Sequence, residues 1–164
     1  MRVRKLITET KVITTTSKWS DKDMPPRWCP INSKTRPIRG GWHWRAAHAT
    51  SPFGDFTAVA QVNSGRGNWK AVLILNAPNG PSVVARFEHH DSHPGLHVHS
   101  HCKRSGIEIG AVGMDGLDRF PPLGNRHRRE NAWTEISFWT AMKKFFRMRD
   151  DDPEGGNLEL FGTF

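Results

Sequence analysis

Residues 56–90, FTAVAQVNSGRGNWKAVLILNAPNGPSVVARFEHH, decide the fold class. Three runs of β-branched, aliphatic and aromatic residues, Phe56–Val62, Trp69–Asn76 and Ser82–His90, are cut by NSGRGN at 63–68 and APNGP at 77–81. Gly, Asn and Pro at such breaks are turn chemistry, and Asn79-Gly80 is a strong hairpin signal. The three runs therefore read as an antiparallel meander. Strict alternation in the third sets Val84, Arg86 and Glu88 on one face, with Val83, Ala85 and Phe87 on the other.

Upstream, Trp42–Ala47 is a further strand ahead of the turn SPFGD, and KLITETKVITTT (5–16) is β-branched enough for an early strand. Trp19–Gly41 between them is Pro-rich and irregular, pinned by Pro25-Pro26 and closed by Gly40-Gly41. It is long enough to be a functional flap or a simple surface covering. Downstream, His93-Pro94-Gly95 breaks the chain before Leu96–Cys102, and IEIGAVG after Gly106 suggests one more short strand. A helix is expected near Asn131 as N-cap, with Glu135 in its first turn. Trp139, Met142 and Phe146, widened by Phe138 and Phe145, form its buried stripe. Lys143, Lys144, Arg147 and Arg149 lie in or beyond its last turns. The expected fold is α+β: a curled antiparallel sheet of five or six strands, with a barrel-like closure allowed, and a C-terminal helix packed on it.

The 164 residues fit one domain spanning 1–164, with the irregular segment 19–41 and an acidic tail at 150–164. Seven Trp and nine Phe supply an aromatic interior. No stretch approaches the ~20 apolar residues of a membrane span, and residues 1–11 lack the apolar core of a signal peptide. A cytoplasmic protein without a membrane partner is expected. Cys29 and Cys102 form no CxxC motif, which leaves only a weak case for a disulfide.

The net charge of +8 is uneven. Residues 1–50 hold eleven basic and three acidic side chains, and residues 119–149 hold eight and two; residues 150–164 hold five acids and no base. Two basic surfaces with an acidic tail able to shield one of them point to RNA or another polyanion as partner.

EHHDSHPGLHVHSHC (88–102) carries six of the nine histidines. Alternation places His97, His99 and His101 on one strand face, with successive imidazoles ~6.6 Å apart along the strand. If this strand pairs with the preceding one, the same face gathers Arg86, Glu88, His97, His99 and His101. RNA cleavage by its own 2′-hydroxyl needs a base, an acid and a cation. His97 and His99, or one of them with His89, suit the first two roles, while Arg86, Lys103 or Arg104 supplies charge. Glu88 beside an imidazole would fix its tautomer. This ribonuclease-like reading requires no cofactor. The alternative is a metal-dependent hydrolase, with Zn or Mn held by His97, His99 and one of His89, His90, His93, Asp91 or Cys102. A third reading is a non-catalytic nucleic-acid or protein-binding domain. A P-loop, a dinucleotide motif, HExxH and G-x-S-x-G are all missing, which argues against the corresponding enzyme classes.

Over about 20 residues the chain resembles a loosely defined class of His-rich small bacterial proteins thought to be toxins of toxin–antitoxin pairs. The matching positions are Phe87-Glu88, with Glu where that pattern has Asp, then His93-Pro94 and the pair His97-x-His99. The resemblance implies an RNA-directed toxin with a small antitoxin protein as partner.

Overall fold

The computed structural model describes residues 3–90, 93–100, 110–112 and 133–151. A short helix α1 (Val3–Thr8) leads into β1 (Lys11–Thr16), β2 (His43–Ser51), β3 (Gly54–Asn63), β4 (Asn68–Ala77), β5 (Gly80–His90), β6 (His93–Ser100) and β7 (Gly110–Val112). Helix α2 (Glu135–Phe145) and β8 (Met148–Asp150) follow. The sheet order is β7-β6-β5-β4-β3-β2-β1-β8. Every pairing is antiparallel except β1 with β8. Six strands form the body, and the three-residue β7 and β8 are its edges, so the sheet stays open instead of closing into a barrel.

One face packs on α2. Phe138, Trp139, Met142, Phe145 and Phe146 join Ala47, Ala58, Ala60, Trp69, Leu73 and Phe87 in a single buried cluster. Phe87 is its centre, stacked on Phe145 at 4.8 Å and on Phe138 at 5.8 Å between ring centroids. Small alanines on β2 and β3 let these rings lie close to the backbone.

The Pro-rich segment covers the opposite face. Met24, Trp28, Cys29 and Ile38 pack on Trp44, Ala46, Val59 and Ile74. Trp44 Nε1 donates to the Lys22 carbonyl at 2.7 Å, and Met24 and Arg36 exchange backbone hydrogen bonds. The segment is thus a second layer, which favours the covering reading over the flap. Gly40 and Gly41, at φ 64° and 79°, end it in a turn that L side chains adopt only with strain.

Three local expectations need correction. The early strand over 5–16 begins only at Lys11, because α1 turns Leu6 and Ile7 into the α2-side core, where both are fully buried; tertiary packing overrides the β propensity of Ile7 and Thr8. The cap of α2 is Thr134, not Asn131, which lies outside the described residues. Thr134 Oγ1 accepts from Ser137 N at 3.0 Å, and Ser137 Oγ accepts from Thr134 N at 2.9 Å, a reciprocal capping box. Alternation also fails at Val84. The register Leu73↔Ala85, Ile74↔Val83 inserts a bulge in β5, so Val84 and Ala85 both bury on the α2 side.

Lys11 ties the helix ends together. Its side chain is fully buried, and Nζ donates to the carbonyls of Ile7 (3.1 Å), Glu9 (2.8 Å) and Phe146 (2.9 Å) while lying 5.1 Å from the Phe56 ring centroid. Desolvation pulls its pKa from 10.5 to about 7, with Glu9 opposing.

Phe87→Ala should cost about 3–5 kcal/mol in denaturant unfolding, the usual toll of an emptied aromatic site. Lys11→Met should destabilise as well, since it strands three carbonyls. Because the folded pKa of Lys11 lies below the unfolded one, the folded state binds fewer protons between about pH 7 and pH 10.5. The stability of wild type relative to Lys11→Met should therefore climb with pH across that window, by at most about 1.4 kcal/mol per pH unit, and be level below about pH 7, where both states are protonated. Unfolding curves at several pH values with a constant gap would contradict the lowered pKa.

Candidate nucleic-acid interface

The site is built on β4, β5 and β6. The bulge resets β5 so that Glu88 stands opposite Lys70, and Arg86 opposite Val72, on β4. On β6 the register sets His97 opposite Glu88 and His99 opposite Arg86, with Val98 opposite the core residue Phe87. Directly opposed residues of an antiparallel pair belong to one face. The backbone thus assigns positions 86, 88, 97, 99 and 70 to the face away from α2. His90 pairs with His93 at the start of the same hairpin. His101, Asp91, Cys102, Lys103 and Arg104 lie outside the described residues.

Parity removes His89 from this group. It follows Phe87 onto the α2 side, where it is 6 % exposed and packs edge-on against Trp133 at 6.3 Å. His89 thus stands on the α2 side, the face opposite the one assigned to positions 97 and 99, within a packed aromatic cluster.

Charge is crowded on the outer face. Arg86 Nε lies 3.1 Å from Glu88 Oε2, with Arg86 40 % exposed and Glu88 only 12 %, so the acid sits beneath and the guanidinium reaches solvent. Lys70 Nζ stands 4.7 Å over the ring of Trp42, a cation–π contact. Burial lowers the Lys70 pKa first, Arg36 and Arg86 lower it further, and Glu88 partly restores it. Arg36 is held there by its backbone pairing with Met24, and it also draws on Cys29, whose thiol burial pushes up. Lys70 thus feels two guanidinium groups, Arg36 and Arg86, and one carboxylate, Glu88. Held like charges are repulsive until an anion joins them, which is the electrostatic character of an anion-binding surface.

Arg36, Lys70 and Trp42 were not singled out as a group from sequence. A plain two-residue hairpin at Pro78-Asn79 would set Lys70 opposite Phe87; only the bulge moves it opposite Glu88, and no sequence signal marks the bulge. Two basic residues of the charge-rich segments are engaged in ion pairs: Arg39 with Asp23 at 3.0 Å and Lys143 with Asp150 at 2.6 Å.

No group of three or more His, Cys, Asp or Glu poised for a metal occurs among the described residues. No helix among them is long and apolar enough to cross a membrane. No family model, curated protein or solved structure matches the chain. The chemistry therefore rests on the geometry alone.

Since Arg36 and Arg86 depress Lys70 and Glu88 supports it, Arg36→Gln should raise the Lys70 pKa and Glu88→Gln should lower it further. An NMR titration of the Lys70 Cε and Nζ signals checks both directions; a pKa indifferent to both changes would dissolve the cluster as an electrostatic unit.

Proposed function

We propose that the protein binds RNA across the β4–β6 face and cleaves it by acid–base catalysis at His97 and His99. The observation that supports this reading most is the cross-strand register, which lines up Glu88 with His97 and Arg86 with His99 beside Lys70. One imidazole takes the proton of the 2′-hydroxyl as O2′ attacks phosphorus; the other, protonated, gives its proton to O5′ as the P–O5′ bond breaks. A 2′,3′-cyclic phosphate and a 5′-hydroxyl are the products. Arg86, with Lys70 and Arg36 behind it, meets the growing phosphorane charge. Glu88 holds Arg86 and orients the imidazole across from it. Cytoplasmic RNA is the substrate class this reading implies, and the toxin-like residues around Phe87-Glu88 and His97-x-His99 extend it to a small antitoxin that would cover the same face.

His97→Ala and His99→Ala should each lower cleavage of a short single-stranded RNA by roughly 10²-fold or more, the usual worth of a positioned acid or base. Binding of the same RNA should persist in both and weaken as salt rises, because phosphate contacts release counterions. Cleavage that survives EDTA with a bell-shaped pH profile identifies the metal-free route; cleavage stopped by EDTA and restored by Zn²⁺ or Mn²⁺ transfers the same histidines to a metal. Full activity in the double variant would reject both.

A further inference from the structure

Lys70 lies on the outer face with a polar residue across from it on either side: Gln61 of β3, 5 % exposed, and Glu88 of β5, 12 % exposed. Its Nζ stands 4.7 Å from the Trp42 ring centroid, and the side chain is half-buried. Arg86 approaches from β5, where its Nε lies 3.1 Å from Glu88, and Arg36 acts on the same amine from the Pro-rich segment. An amine that burial already holds back from full hydration thus has two guanidinium groups for neighbours.

A cross-strand ion pair accounts for Lys70 and Glu88, and the Trp42 ring accounts for how the lysine stem is held. Neither gives a reason for two further cations around the same amine, since like charges at close range cost stability. Desolvation and neighbouring cations are two means by which a protein leaves a lysine amine uncharged, and an uncharged amine is a nucleophile toward carbonyl carbon. Both act on Lys70 and outweigh the opposing pull of Glu88. Lys11 is the useful contrast. Its pKa is also lowered, to about 7, but it is fully buried and its Nζ is spent on three carbonyls, so no reagent meets it. Lys70 joins the lowered pKa to a partly exposed position on a cationic surface.

We propose that Lys70 condenses with small phosphorylated aldehydes, an aldose phosphate in its open form being the class that fits, with Arg36 and Arg86 holding the phosphate. The Nζ lone pair attacks the carbonyl carbon to give a carbinolamine. The former carbonyl oxygen then leaves as water, carrying away the two hydrogens of the amine, as the C=N bond of the imine forms. No oxidant or reductant enters. Phosphate selects among aldehydes because two guanidinium groups stand against one carboxylate, and the planar guanidinium fork matches phosphate oxygens. The reaction uses the cationic cluster but neither His97 nor His99, so it does not rest on the RNA-cleaving reading.

The test is reductive trapping on the full chain. The protein is incubated with glyceraldehyde 3-phosphate, or with glyceraldehyde lacking the phosphate, in the presence of cyanoborohydride, which reduces the imine to a stable secondary amine; modified peptides are then quantified by mass spectrometry. Lys70 should be modified about tenfold faster than the exposed Lys34, with Lys11 untouched, and loss of the phosphate from the reagent should slow Lys70 about tenfold, the worth of one charge-assisted hydrogen bond. Arg36→Gln and Arg86→Gln should each slow Lys70, and more so with the phosphorylated reagent than with the other. The double variant His97→Ala, His99→Ala should be modified at the wild-type rate, which separates this reaction from RNA cleavage. Modification of Lys70 no faster than of Lys34 would overturn the reaction, and equal rates with the two aldehydes would overturn the phosphate recognition.

Discussion

A single extra residue in β5 governs how this sheet presents its two faces. Between Leu73↔Ala85 and Ile74↔Val83 the strand gains one residue, so two consecutive side chains, Val84 and Ala85, bury against α2. From there on Phe87 continues into the core while Arg86 and Glu88 turn outward. Without the bulge, a register carried straight from the Pro78-Asn79 turn would set Lys70 opposite Phe87, matching an outward residue with a core one, which a pleated strand cannot accommodate. The bulge reconciles a tight hairpin with a continuous apolar face. The outward cluster of Arg36, Lys70, Arg86 and Glu88 is its consequence.

That apolar face exists because the sheet is covered twice. The α2 layer carries most of the large aromatics, but Trp44, Val59 and Ile74 project the other way and would stand in water without the Pro-rich segment. Proline suits this layer. It fixes φ and lowers the entropy lost when an irregular strip is ordered over a sheet. The layer also sets a limit to the outer site, since Arg36 and Trp42 enter the cluster from this segment and its closing turn, while β5 and β6 lie beyond it. Lys11 does the corresponding work at the far edge. One buried ammonium ties the carbonyls at the end of α1 to that of Phe146, just past α2, beside the β1–β8 pairing.

What was legible in the sequence follows from how local the signal is. Turn dipeptides and two-residue alternation mark β2 to β5, and the period of Phe138, Trp139, Met142 and Phe145 marks α2, because each is written within a few neighbouring residues. The helix start was misplaced because Thr134 caps with Ser137, so the acidic or amide residue that usually flags a capping box is absent. Helix α1 and strand β8 were missed for a different reason. Six and three residues long, they are stabilised by what they pack on, not by propensity. In the candidate site, the alignment of Arg86 and Glu88 with positions 97 and 99 was readable from alternation across one turn. The addition of Lys70, Arg36 and Trp42 was not, since it depends on a bulge and on the docking of a segment more than thirty residues away.

The outer face also illustrates how a fold can hold charge at a disadvantage. Lys70 is partly desolvated and sits near two guanidinium groups, so each lowers its affinity for a proton, and one carboxylate offsets only part of that. Such an arrangement adds nothing to stability by itself; crowded like charges favour the unfolded chain, where they separate. It persists because each cation is anchored by something else: Lys70 by the Trp42 ring, Arg36 by its backbone pairing with Met24, Arg86 by Glu88 beneath it. A phosphate chain laid over this face would convert the repulsion into attraction without moving any anchor. The free energy of binding would then come from relieving a strain already present in the folded protein.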